Sequence, residues 1–237
     1  MRLLEAVITA LAMIRAHKLR AFFTVLGTMM GVTFLIAVVT LITGMNRYME
    51  EDFAGKVYGF NSVMLRQRPS VIINPSEEQW RSWQRRPRLT FEDAEWLERR
   101  METPGVLSFS SERGGEVEGP DGTVVLGVRV SGVSAGFFRA REMNIDQGRI
   151  FSEQEAERGV PLVVIGQDVA DRLFPGRNPL ERTIRINGFP YRVVGVLEKQ
   201  GSLFGFSLDN VVLGPARSRL NGFVNPVGVI DEISFKV

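Results

Sequence analysis

Residues able to do covalent or acid–base chemistry are sparse in this chain. One histidine, His17, and no cysteine occur among its 237 residues. Thiolate metal sites, iron–sulfur clusters, disulfides, cysteine nucleophiles and Ser-His triads are therefore excluded, although an oxidising compartment is not. The densest carboxylate run, Glu92, Asp93, Glu95 and Glu98, has the spacing of a solvated helix surface, whereas acid–base catalysis needs carboxylates gathered in a cleft. Ser131 and Ser134 lie among glycines without a Gly-x-Ser-x-Gly context. A Gly-x-x-x-x-Gly-Lys-Ser/Thr phosphate loop is absent, so the sequence predicts no nucleotide hydrolysis by itself, and no loop carries the carboxylate spacing of a calcium site. The expectation is a chain with no enzymatic activity, no cofactor and no metal. What remains is contact chemistry, concentrated in residues 66–88. This segment holds Arg66, Arg68, Arg81, Arg85, Arg86 and Arg88 with Trp80, Trp83 and three prolines. Arg and Trp are enriched where binding energy concentrates at interfaces, which makes Trp80, Trp83, Arg85 and Arg86 the candidate partner-binding residues. A solvated polar excursion is the competing reading. Nucleic acid is a poor third, because the flanking domain is acidic.

The elements that would carry such a contact begin with a membrane anchor. From Ala21 to Asn46 there is no charged residue, and Ala21–Thr43 supplies 23 largely apolar positions. At about 1.5 Å per residue this run crosses a hydrocarbon core of about 30 Å with some tilt. It is too long for the apolar core of a cleaved signal peptide. Gly27 and Gly31 within it form Gly-x-x-x-Gly, a spacing that lets a second helix approach closely. Leu3, Leu4, Val7, Ile8, Leu11 and Ile14 recur at helical spacing ahead of it. They predict an amphipathic helix lying on the inner membrane surface, with Arg15, Lys18 and Arg20 toward the headgroups, or else an extension of the spanning helix. The overall net charge is +2, yet residues 1–46 carry Arg2, Arg15, Lys18 and Arg20 against Glu5, leaving 25 basic and 26 acidic groups beyond them. Basic residues before the span and Glu50, Glu51 and Asp52 after it predict a cytoplasmic N-terminus and an exported remainder, periplasmic in a Gram-negative cell. The expected organisation is an elbow helix over 1–20, a transmembrane helix over 21–46 and an exported domain over 47–237. A single span cannot form a transport path by itself.

Residues 46–62 are expected to prolong the helix as far as Gly59, ahead of a strand at Val63–Leu65. Thr90 and Asp93 have capping spacing for a helix ending near Thr103, with Phe91, Ala94, Trp96 and Leu97 on its apolar side. Two strands, 106–117 and 123–133, flank a Gly119-Pro-Asp-Gly122 turn. Phe137 and Phe138 begin a short helical stretch. Ser152 and Glu155 repeat the capping pattern, and Pro161–Ile165 reads as a continuous apolar strand. A short helix follows with Val169, Ala170, Leu173 and Phe174 inward. Thr183–Asn187 and Tyr191–Leu197 form a hairpin about Asn187-Gly188. Strands and short helices mix without a βαβ repeat, which predicts an α+β domain.

Several of these stretches together resemble one family, the MacB-type (FtsX-like) permeases of bacterial ABC systems. Arg20, Thr24, Leu26, Gly27, Gly31 and Val32 match its first transmembrane helix. Leu89-Thr-x-x-Asp93, Gly148-Arg149, Val163–Phe174, Asn178-Pro179-Leu180, Ile184–Gly188, Tyr191–Leu197 and Gly214-Pro215 resemble its periplasmic core domain. Glu181-Arg182 stands where the family usually has Gly-Lys, and residues 66–88 have no counterpart. Family members continue past the position of Val237 with the rest of that domain and three further membrane helices. The resemblance leaves two expectations open. In one, a reduced permease serves as a non-catalytic, single-pass structural subunit of a larger membrane complex, with a bioenergetic or photosynthetic assembly among its hosts. In the other, the chain is the N-terminal part of an ABC permease that couples a cytoplasmic ATPase to periplasmic export. Other membrane-protein subunits and the lipid bilayer are the expected partners in both, and nucleic acid in neither. Ending at Val237 is expected to leave a sheet edge or apolar face to be covered by a partner.

Overall fold

The computed structural model describes residues 8, 15–48, 62–69, 76–203 and 205–237. The chain forms two compact units, residues 1–56 and 57–237. In the first, helix α1 (Lys18–Tyr48) contains a 27-residue stretch, Lys18–Gly44, long and apolar enough to cross a membrane. None of the apolar side chains in that stretch is buried within the chain. The expected continuation over 49–61 lies outside the described residues.

The second unit is an α+β domain. Its elements in order are β1 (Ser62–Arg66), α2 (Glu77–Gln84), β2 (Leu89–Thr90), α3 (Phe91–Arg100), β3 (Val106–Glu118), β4 (Val124–Val133), α4 (Gly136–Ala140), β5 (Ile145–Gly148), α5 (Glu153–Glu157) and β6 (Leu162–Ile165). There follow α6 (Gln167–Leu173), β7 (Thr183–Ile186), β8 (Phe189–Leu197), β9 (Ser202–Leu203), β10 (Phe206–Ser207), β11 (Val211–Pro215), α7 (Arg219–Val224), β12 (Val229–Ile230) and β13 (Glu232–Lys236). Strand pairing closes on itself. β3 pairs with β4, β4 with β11, β11 with β6, β6 with β8, β8 with β7, and β7 returns to the far end of β3 at Val117 and Glu118. Two of these pairings, β4 with β11 and β6 with β8, are parallel. The turn chemistry read from sequence makes the closure possible. Asn187 (φ 48°) and Gly188 (φ 81°) both take the left-handed region that a two-residue hairpin turn requires, and this brings β7 back alongside β8.

All six strands of the ring feed one core cluster, with Val117, Val128, Val163, Ile184, Tyr191 and Val212 among its members, and α6 packs Val169, Ala170 and Leu173 into it. A second cluster lies on the other face, where α4 contributes Phe137 and Phe138 against Phe151, Leu162, Val164 and Leu213. The bulge in β8 at Val194 shifts the side-chain alternation. Tyr191 and Val193 therefore face the first core before it, and Val196 does so after it. Gly195 follows the bulge because a Cβ there would stand 2.3 Å from the Arg149 carbonyl oxygen. A third, smaller cluster packs α3 through Ala94 and Leu97 against Ile230, Ile233, Leu107 and Phe109.

Two expectations are corrected. Helix α3 ends at Arg100, where Met101 is already extended. Trp96 is not on its buried side: the indole is 50% exposed and lies under the Arg100 guanidinium, 4.8 Å from the ring centre. The apolar face of α3 turns through Ala94 and Leu97, and position 96 falls off that stripe. β13 pairs with β1 on one side and β3 on the other, and among the described residues β1 and β5 stand at the two ends of the strand order.

Candidate functional site

The Arg- and Trp-rich segment 66–88 has more structure than its composition announces. Arg66 belongs to the sheet, where its guanidinium meets the Glu232 carboxylate, and Arg141 takes the other carboxylate oxygen at 2.7 Å. Helix α2 then forms in the middle of the segment. A capping box starts it: the Ser76 hydroxyl accepts from the Gln79 N–H (3.2 Å), and Gln79 Oε1 accepts from the Ser76 N–H (3.0 Å). At the other end Gln67 Nε2 donates to the Arg86 carbonyl (2.8 Å), and Arg86 Nη1 donates to the Gln67 carbonyl (3.4 Å). This two-way tie fixes the end of α2 to the end of β1.

No residue of α2 is buried. Trp80 and Trp83, three apart on one side, pack edge to face with ring centres 5.8 Å apart. Trp80 remains 36% exposed, and Arg68 lies 5.6 Å from its ring centre. Arg85 and Arg86 are exposed directly after the helix. Trp80 and Trp83 thus share one side of a short exposed helix, with the Arg68 guanidinium over Trp80 and Arg85 and Arg86 exposed just past the helix end. An aromatic pair with a guanidinium over one ring can grip a partner through ring burial and charge-assisted hydrogen bonds.

The carboxylates singled out as surface groups have structural tasks. Asp93 accepts from the Thr90 N–H and hydroxyl at 2.9 and 2.8 Å, completing the cap of α3. Glu95 pairs with Arg99 and Arg217. Ser131 is buried, and the Ser134 hydroxyl accepts from the Phe109 N–H at 3.2 Å. Among the described residues no group of three His, Asp or Glu side chains is placed to hold a metal ion. In α1, Gly27 and Gly31 face open space, with nothing within 4 Å of a built Cβ. The Thr24 and Thr28 hydroxyls are satisfied by carbonyls of their own helix. Ile8, Arg15, Lys18 and Arg20 are exposed, while Leu4, Val7 and Leu11 lie outside the described residues.

Two features had no signal in the sequence. The first is an open groove of about 1080 Å³ whose walls include Phe91, Phe189, Phe223, Arg217 and Arg219. Arg217 stacks on Phe91 (4.8 Å) and Arg219 on Phe189 (5.2 Å). These residues come from α3, the start of β8, and α7 with the connection that leads into it, so no local spacing connects them. The second is the buried carboxylate of Asp209. Its two oxygens accept from the backbone N–H groups of Gln200 (2.7 Å) and Gly201 (2.8 Å) and fasten the base of the β9–β10 hairpin.

Comparison with known proteins gives the same architecture a lineage. The "Macrolide export ATP-binding/permease protein MacB" of Bartonella quintana (strain Toulouse) is 31% identical over 205 residues, covering 84% of this chain and 29% of that protein. The "Uncharacterized ABC transporter permease YknZ" of Bacillus subtilis (strain 168) is 29% identical over 218 residues, covering 89% of this chain and 51% of the relative. The chain therefore spans under a third of that MacB protein and about half of YknZ. Among solved structures, the periplasmic region of MacB from Actinobacillus actinomycetemcomitans superposes with a TM-score of 0.59 at 20% identity, covering 79% of this chain and 78% of that one. The extracellular domain of YknZ gives 0.54 at 20% identity, covering 75% and 83%. The sequence profile of the "MacB-like periplasmic core domain" matches residues 21–233, running through the apolar helix and the ringed sheet alike, and the chain belongs to that family.

Proposed function

We propose that this chain is the membrane-anchored docking part of a MacB-type ABC permease, non-catalytic in itself, with residues 1–20 on the cytoplasmic surface, 21–46 across the membrane and 47–237 in the periplasm. The observation that carries the reading is the continuity of the family match. One profile covers helix and domain together, which is the arrangement of a permease whose exported domain is moved by its membrane helices. The kinship with ABC permeases supports this reading over that of a bioenergetic or photosynthetic subunit. Charge supports the orientation: Arg15, Lys18 and Arg20 precede the apolar run, and the acidic trio Glu50, Glu51 and Asp52 follows it. In this arrangement Gly27 and Gly31 seat a neighbouring membrane helix. Leu4, Val7, Ile8 and Leu11 rest on the membrane surface beside the ATPase, and Trp80, Trp83, Arg85 and Arg86 meet a periplasmic partner.

The test is purification of the tagged chain from its native membrane in mild detergent. An ABC ATPase is expected to accompany it, and replacing Leu4, Val7, Ile8 and Leu11 by Ser is expected to lower that ATPase's activity. Replacing Trp80, Trp83, Arg85 and Arg86 by Ala is expected to release a periplasmic partner while circular dichroism stays unchanged. A stable complex that contains no ATPase overturns the permease reading in favour of a purely structural subunit. Reporter fusions after Val237 that are active only in the cytoplasm reverse the topology.

A further inference from the structure

Resting on the docking role just proposed, we infer that the α2 patch recognises an acidic protein segment, its carboxylates on the arginines and an apolar side chain on the tryptophan pair. Charge complementarity carries the choice of occupant. Residues 62–88 hold six arginines against Glu77 and Glu78, a net +4, whereas residues 89–237 hold 17 basic and 21 acidic groups, a net −4. A cationic segment whose helix buries no residue precedes an anionic remainder. Its charge is also not consumed locally: among the described residues Arg68, Arg85, Arg86 and Arg88 pair with no carboxylate. Arg85 and Arg86 spend side-chain nitrogens only on the backbone carbonyls of Arg81 and Gln67.

The residue types narrow the chemistry. All six cations are arginine and none is lysine, which favours planar, two-point recognition of carboxylates over a diffuse field. A bilayer surface is the less suitable occupant. Helix α2 offers Trp80 and Trp83 as its only apolar side chains, and they are packed on each other and not splayed outward. An interfacial helix instead needs a continuous apolar face with basic residues beside it. The tie between Gln67 and Arg86 holds the Arg86 guanidinium and the end of α2 in place before binding, so less ordering cost falls on the encounter.

The chain contains three tryptophans, so a Trp96→Phe background leaves Trp80 and Trp83 as sole reporters. With this chain in phosphatidylcholine nanodiscs, titration with poly-L-glutamate is expected to change tryptophan emission saturably, and poly-L-lysine is not. Affinity is expected to fall about tenfold or more as ionic strength rises from about 0.01 to about 1 M, over which the Debye length shortens from about 30 to about 3 Å. Arg85→Glu with Arg88→Glu, which keeps the Arg86 tie, is expected to weaken binding at least about tenfold. Absence of a saturable response to polyglutamate, or a response the charge reversal leaves unchanged, overturns the inference. So does an emission shift produced by phosphatidylglycerol nanodiscs alone, which transfers the patch to lipid. If polyglutamate fails while the Trp80, Trp83, Arg85 and Arg86 alanine variant still loses its partner, docking stands and the acidic chemistry falls. If that variant stays assembled, docking itself falls.

Discussion

Removing the Asp209 carboxylate tests whether one buried side chain holds the β9–β10 hairpin on the domain. In the native chain Asp209 is 2% exposed. Its oxygens receive the N–H groups of Gln200 and Gly201, and its own N–H is donated to the Ser207 hydroxyl. Asp209→Ala strips two donors of a charged acceptor, each such bond being worth about 1.5–3 kcal/mol. Gln200 and Gly201 are half-buried, so water reaches them in part and the loss falls toward the lower end, about 3–4 kcal/mol in all. For a domain of this size that corresponds to about 6–16 °C in Tm. Asp209→Asn keeps one acceptor oxygen and turns an NH₂ toward the second N–H, for an intermediate loss. Calorimetry of the full chain in detergent measures the shift, and hydrogen exchange locates it. The amides of Gln200, Gly201 and Leu208 should lose protection in Asp209→Ala while those of β6 and β8 keep theirs. A Tm within about 2 °C of the parent with hairpin protection intact would refute the clamp.

Acid should act through Glu155. The Arg149 guanidinium and the Ser152 N–H hold its carboxyl down at about 2 from an ordinary 4.5. A depressed folded-state value contributes stability that is complete above the unfolded value and is lost as pH falls through the folded one. The stability gap between the parent and Glu155→Gln should therefore be constant above about pH 5 and close as pH drops toward 2 in urea midpoints. A gap independent of pH refutes it. Gly195→Ala forces a Cβ against the Arg149 backbone and should cost about 3 kcal/mol or more. Gly114→Ala, with open space around it, should stay within about 1 kcal/mol in the same denaturation series. Trp96→Phe, on the solvent side of α3, should shift stability by no more than about 0.5 kcal/mol in that series, and a larger loss would return Trp96 to the core.

Local chemistry was readable where the physics is local. The caps at Thr90–Asp93 and Ser152–Glu155 and the Asn187-Gly188 turn depend on residues a few positions apart, and each forms as spaced. The continuous apolar run Pro161–Ile165 reads as a strand, and β6 forms there with every residue buried. Closure of the ring was not readable, because β7 meets β3 across about 70 residues with no local mark of the pairing. Helix α2 escaped for a different reason. Its sequence, Glu-Glu-Gln-Trp-Arg-Ser-Trp-Gln, has too few apolar positions to show a buried face, and it buries none. The Ser76–Gln79 cap was the available signal. The groove and the Asp209 clamp join residues from separate elements, so their chemistry exists only after folding.

The position of β13 sets the order in which this domain can be completed. Among the described residues β1 joins the sheet by pairing with β13 alone, and Arg66 meets Glu232 across 166 positions of chain. As the polypeptide emerges, the ring from β3 to β11 can assemble while the strand made before it has no surface to join. β1 must wait until residues 232–236 have appeared and docked on β3. Non-local closure of this kind is slow and leaves apolar strands open to wrong pairings. Val63 and Leu65, still exposed in the finished edge strand, are the residues a chaperone would have to shield during that interval.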